Sequence, residues 1–134
     1  MYVRDEYALK MEAAHEGLLT AAKMGNMATL QQGLNDKLDI NFSNDAGWTP
    51  LIWAAAADQE EAVAFLITNG ANVNAANDQG TTALHQAAYL GSAQLVKLLL
   101  AGGADKSAKD ENGLTALDYA KDEADGQDAV KLLE

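Results

Sequence analysis

The side chains in this sequence that could do chemistry are two histidines, His15 and His85, and two acidic groups, Asp58-Gln59-Glu60-Glu61 and Asp110-Glu111. A histidine acts as a general base only within hydrogen-bond reach of a nucleophile or water. Clustered carboxylates hold a hard cation when glycine and a distal glutamate complete the loop. The glycine and distal glutamate of such a loop are missing. No G-x-S-x-G, H-E-x-x-H or G-x-x-x-x-G-K-[ST] stretch occurs either. There is no cysteine, hence no thiolate nucleophile, thiolate metal site or disulfide. The acids read as helix-start and turn residues, where dipoles and local hydrogen bonds favour them. His15 reads as solvent-facing. The expectation is a chain without catalytic residues, metal or cofactor.

The elements that must position these residues are written as a repeat. The stretch Asn77 to Ala108 holds one tight turn, two short helical patterns and a glycine stop, and the same order recurs on either side of it. Gly47, Gly80 and Gly113 are 33 residues apart, as are Thr49, Thr82 and Thr115. Leu51, Leu84 and Leu117 keep the step, and so do Ala54, Ala87 and Ala120. A period of this length is the mark of stacked supersecondary units. Thr49-Pro50 starts a helix, the threonine as cap and the proline in the first turn. Gly70 and Gly103 close second helices as left-handed terminators. The core is expected from Val63, Leu66 and Ile67, then Leu95, Val96, Leu98, Leu99 and Leu100.

The period and motif resemble the ankyrin repeat family. The T-P-L-H-x-A pattern stands as Thr49-Pro50-Leu51-Ile52-Trp53-Ala54, as Thr82-Ala83-Leu84-His85-Gln86-Ala87 and as Thr115-Ala116-Leu117-Asp118-Tyr119-Ala120. The following loop stands as Gly70-Ala71-Asn72-Val73-Asn74 and Gly103-Ala104-Asp105-Lys106-Ser107. The resemblance implies an all-α helix-turn-helix solenoid with β-turn fingers. One domain over 1–134 is expected, with repeats at about 16–43, 44–76, 77–109 and 110–134 after a helical extension over 1–15. In that extension Tyr7, Met11, Ala14 and Leu18 recur on one helical face. It either lengthens the first opening helix or lies across the end of the stack.

The outer repeats depart from the pattern. Glu16-Gly17 replaces Thr49-Pro50, and Gly33 stands where Leu66 and Leu99 stand later. Val130, Leu132 and Leu133 follow Val96, Leu98 and Leu99 at 34 rather than 33, so one residue is inserted between Lys121 and Asp128. Terminal units have one neighbour and need a polar outer face. Gln31, Gln32 and the segment Lys121–Asp128 suit that role.

The formal net charge is −11 and the pI about 4.4. Such a chain is repelled by nucleic-acid phosphates and by anionic membrane surfaces. No run reaches the roughly 18 apolar residues of a membrane span. Residues 1–15 hold no apolar segment of signal-peptide length. The cytoplasm is slightly preferred, with the periplasm open if a leader was removed.

The family implies a groove that binds other proteins through turn tips and first helices. Carried onto this sequence, the turns supply Asp45, Ala46 and Trp48, then Asp78, Gln79 and Thr81, then Glu111, Asn112 and Leu114. The first helices supply Lys23 and Met24, Ala56 and Ala57, Tyr89 and Leu90. Ser43, Ala76 and Lys109 sit at the turn roots. Trp48 and Tyr89 are the expected aromatic anchors. Trp53 replaces a leucine that the family buries, and is expected in the core. His85 is expected to bond loop backbone between repeats. The expected function is a monomeric, non-catalytic module for another protein, with a basic surface as the complementary match and an inhibitor or immunity role as its narrower form. The alternatives are a fragment of a larger scaffold, or an acidic ion-binding or enzymatic protein.

Overall fold

A computed structural model describes residues 5–134. Eight helices follow in order: α1 Glu6–Met24, α2 Met27–Asn35, α3 Pro50–Ala56, α4 Glu60–Thr68, α5 Ala83–Tyr89, α6 Ala93–Ala101, α7 Ala116–Lys121 and α8 Gln127–Leu133. No strand forms among the described residues. Helices of six to nine residues do not persist alone in water, so stacking must hold them. The odd-numbered helices form one row, α1 on α3, α3 on α5 and α5 on α7. In the second row α4 packs on α6 and α6 on α8, and each odd helix packs on the even helix that follows it. The fold is an all-α solenoid of helix pairs.

Local chemistry sets the helix starts. Thr49, Thr82 and Thr115 cap α3, α5 and α7, each hydroxyl accepting the N–H three residues on. Between the helices of a pair the chain turns through the left-handed region at Gly25 (φ 71°), Asp58 (φ 58°) and Gly91 (φ 69°). Aspartate is one of the few L residues that tolerates this region.

The fingers are closed by an asparagine or aspartate in one place. The side-chain oxygens of Asn44, Asn77 and Asp110 each accept the N–H groups two and four residues on. Neighbouring fingers then join, Asp78 N–H donating to Ala46 O at 3.0 Å and Glu111 N–H to Gln79 O at 2.9 Å. A Cβ at Gly47 would lie 2.9 Å from the Asp78 backbone nitrogen, so only glycine lets the fingers approach. Behind the second helices, asparagines clamp adjoining units. Asn41 Nδ2 donates to Gly70 O while its Oδ1 accepts from Asn72 N–H, and Asn74 does the same to Gly103 and Asp105. Ser107 stands at the next step and the ladder ends there.

The core runs the length of the stack through Leu18, Leu30, Leu51, Val63, Leu66, Leu84, Leu95, Val96, Leu99 and Leu133. Ala54, Ala55, Ala87, Ala88 and Ala120 are fully buried where the odd helices meet, and their small side chains set the close spacing. Ile67, Leu98 and Leu100 border this core half-buried. Gly33 has a physical account as well. The Leu18 side chain occupies the space a Cβ there would need, beside a cavity of about 10 Å³, at the threshold for a single water.

α1 is continuous from Glu6, so the N-terminal segment lengthens the first opening helix instead of crossing the end of the stack. The expected apolar face engages only toward its C-terminal end: Leu18 is buried, Met11 and Ala14 are half-buried, and Tyr7 is 72% exposed. Among the described residues no second helix lies under the first turns of α1 to cover Tyr7. The first four residues of that expected extension lie outside the described residues.

Candidate functional site

The odd helices and the fingers enclose a groove. Its floor is set by the period: Thr20, Trp53, Gln86 and Tyr119 occupy equivalent positions 33 residues apart. One hollow of about 200 Å³ is lined by Glu16, Leu19, Thr20, Lys23, Asn44 and Trp53. A second, of about 250 Å³, is lined by Thr81, His85, Gln86, Tyr89 and Tyr119.

The family-derived candidates fall around this groove. Asp45, Ala46, Asp78, Gln79, Glu111 and Asn112 are exposed on the fingers, with Ser43, Ala76 and Lys109 exposed at their roots. Lys23 and Met24 end α1 in solvent, and Ala56 and Ala57 are half-buried at the end of α3. Tyr89 is 60% exposed, and Leu90 and Leu114 are exposed beside it. Thr81 is half-buried and lines the second hollow.

Two aromatic expectations are altered by packing. Trp48 does not stand free at its finger tip. It is half-buried, its ring 4.4 Å from that of Trp53 with 30° between the planes. Trp53 in turn is not a core residue but half-buried, with Lys23 Nζ 5.0 Å from its ring centre. The cause is helix phase. Leu51, Ile52, Ala54 and Ala55 take the buried side of α3, which turns residue 53 to the groove as α5 turns Gln86 and α7 turns Tyr119.

The histidines are structural. His85 is 2% exposed. Its Nδ1 accepts the Thr82 N–H at 3.1 Å, and its Nε2 lies 2.9 Å from Leu114 O. A carbonyl only accepts, so Nε2 carries the proton. Both ring nitrogens are then occupied, and none remains to take a substrate proton. His15 is not solvent-facing. It is half-buried, its Nδ1 donating to Met11 O at 2.7 Å and its Nε2 accepting the Asp39 N–H at 3.0 Å, with the ring 5.0 Å from Phe42. It pins the loop after α2 onto α1, a contact bridging 24 residues that no local spacing announces.

Tyr119 and Asp110 form a coupled pair that the sequence pattern did not single out. The Tyr119 hydroxyl donates to Asp110 Oδ2. Burial pushes the Asp110 carboxyl up, but hydrogen bonds from Tyr119, Leu114 and Asn112, with His85 nearby, outweigh it and hold the group below its ordinary value. Tyr119 is pushed up to about 12, first by its hydrogen bond to Asp110, then by burial and by the charges of Asp110 and Glu111. Asp118 is lowered by the Thr115 backbone and hydroxyl it accepts from. The signal that could have found the pair was the 33-residue step itself, which sets Tyr119 level with Trp53 and Gln86.

Among the described residues, no group of three His, Cys, Asp or Glu side chains is placed to hold a metal ion. No described helix is long and apolar enough to cross a membrane.

Comparison with known proteins agrees with this geometry. A family model described as ankyrin repeats (3 copies) matches residues 11–110 and, in a second match, 76–134. Ankyrin repeat, SAM and basic leucine zipper domain-containing protein 1 of Mus musculus is 32% identical over 65 residues, 48% of this chain and 14% of that protein. Ankyrin repeat family A protein 2 of Homo sapiens is 41% identical over 51 residues, 38% of this chain and 16% of that protein. Neurogenic locus notch homolog protein 1 of Mus musculus is 36% identical over 61 residues, 43% of this chain and 2% of that protein. The chain therefore matches only a small part of the length of each of these relatives.

Proposed function

The chain belongs to the ankyrin repeat family, and on that premise we propose that it is a non-catalytic module that binds a partner protein in the groove between fingers and odd helices. Repeats of this family generally serve protein–protein interaction. One observation carries the assignment to the groove. The exposed large apolar side chains among the described residues are Tyr7, Leu9, Met24, Tyr89, Leu90 and Leu114. Leu9 and Met24 lie on α1, Tyr89 and Leu90 at the end of α5 and Leu114 on a finger, while Tyr7 stands on the α1 face that buries Leu18 further along; none of the six lies on α2, α4, α6 or α8. Exposed apolar area gathered on one side of a protein marks an interaction surface.

Charge narrows the partner. Asp45, Asp78 and Glu111 stand exposed at one step of successive fingers, on a chain of net charge −11. A basic partner surface complements that edge and would be steered toward it. The narrower form of the proposal is an inhibitor of the immunity type, in which the acidic stack occludes a basic cleft.

The test is quantitative capture of partners from the native lysate by three baits: wild type, a Tyr89→Ala, Leu90→Ala, Leu114→Ala variant, and a Gln94→Ala, Lys97→Ala variant on the exposed side of α6. Loss of an anchor costs about 2 kcal/mol, so the groove variant should bind at least ~30-fold more weakly. High salt should weaken the wild-type complex further. A partner kept by the groove variant and lost by the α6 variant would overturn the assignment.

A further inference from the structure

We infer that the hollow beside Tyr89 and Tyr119 is a subsite for one arginine side chain of the partner. The inference rests on the groove reading above and gives it a chemistry. The hollow measures about 250 Å³, below the roughly 300–1,000 Å³ of sites that enclose a cofactor or drug-sized ligand. It has room for a side chain. Its walls are two rings set nearly at right angles: Tyr89 and Tyr119 have centroids 6.3 Å apart and planes 74° apart. His85 meets Tyr119 edge-on at 5.8 Å and closes the inner end.

Three features select a guanidinium. Aromatic faces attract cations, and a planar delocalised cation lies flat against a ring while presenting its N–H groups to the perpendicular side. The Thr81 hydroxyl, the Gln86 amide and the Tyr89 hydroxyl line the hollow and have no hydrogen-bond partner among the described residues, so acceptors are free. The charges acting on the Tyr119 hydroxyl are those of Asp110 and Glu111, whereas Lys121 and Lys109 act on Asp118. Asp110 has both carboxylate oxygens hydrogen-bonded, by Asn112, Leu114 and Tyr119. It is therefore fixed in place as a charge behind the ring. The equivalent hollow at Trp53 already holds a cation of the chain itself, Lys23, over its ring. Among the described residues no cation of the chain stands over the rings of the second hollow.

The test uses the full chain and small probes read by amide chemical shifts. N-acetyl-arginine methylamide, its lysine counterpart and its citrulline counterpart, which keeps the arginine shape without the charge, are titrated at matched salt. The expected result is saturable shifts at Thr81, Gln86, Tyr89 and Tyr119 with the arginine probe, with Kd on the order of 10 mM. The lysine probe should bind more weakly and the citrulline probe not at all. Tyr89→Leu keeps an apolar cover but removes the ring face, and should weaken arginine about fivefold. Asp110→Asn removes the charge and should weaken it about threefold. That variant installs the residue that Asn44 and Asn77 already provide in the other fingers, so the finger should fold. Equal shifts from arginine and citrulline, shifts spread evenly over the fingers, or no saturation by about 100 mM would each overturn the inference. The groove reading stands or falls separately, on whether the Tyr89→Ala, Leu90→Ala, Leu114→Ala bait loses its partner.

Discussion

Replacing His85 with alanine should uncouple the last repeat from the rest of the stack. The ring is 2% exposed and holds two groups at once, the Thr82 N–H at the start of α5 and Leu114 O in the next finger. Each net hydrogen bond is worth about 1 kcal/mol, and the Thr82 N–H, left dry, sits at the upper end of that range. Losing most of a buried ring adds about 1–2 kcal/mol. The total, about 3–4 kcal/mol, is a large share of the 5–15 kcal/mol typical of whole domains. With a urea m-value of about 2 kcal/mol/M, the midpoint should fall by about 1.5–2 M. Units in a solenoid touch only their neighbours, so the loss should be local. Urea titration followed by circular dichroism reads the midpoint, and amide exchange reads the place, with α7 and α8 losing protection before α3 and α4. A midpoint shift below about 0.5 M, or exchange that accelerates evenly along the chain, would refute the argument that this ring ties two repeats together.

Asn74→Ala removes two hydrogen bonds between units. Because the groups released are solvent-exposed, the loss should be modest, about 1–2 kcal/mol in urea titration; Asn41→Ala should match it, and the two should add. Gly17 lies inside α1, and a Cβ there meets nothing within 4 Å, so Gly17→Ala should stabilise by about 0.5–1 kcal/mol and raise Tm by about 2–4 °C; a lower Tm would contradict it. Tyr119 has its proton held up to about 12 in the fold against an ordinary 10.0, so the stability it contributes is present below pH 10 and lost as pH rises from 10 toward 12. Tyr119→Phe should lack that share of the alkaline fall when ΔG is measured across the window. Asp110 has the opposite sign: its carboxyl is lowered, so its contribution is present above the ordinary carboxylate range and lost as pH falls below about 4, a slope that Asp110→Asn should flatten.

The repeat, its helix pairs, their threonine caps, the finger glycines and the leucine core were legible in the sequence, because each is a local device copied at a constant step. Thr49, Thr82 and Thr115 do the same thing three times, and repetition turns a weak local preference into a firm assignment. The first-turn proline and the terminal glycines needed nothing beyond the φ values they permit. What the period could not carry were the residues that break it. Trp53, Gln86 and Tyr119 share a position but no chemistry, and Trp48 meets Trp53 rather than solvent because the finger folds back onto α3. His15 has no counterpart at its step, and its partner Asp39 lies across a helix and a turn. Tyr119 finds Asp110 only because the fourth finger lies against the start of α7. These contacts depend on which side chains the stacked helices turn toward one another. Tertiary packing decides that, since the same short helix can present any of its faces until a neighbour covers one.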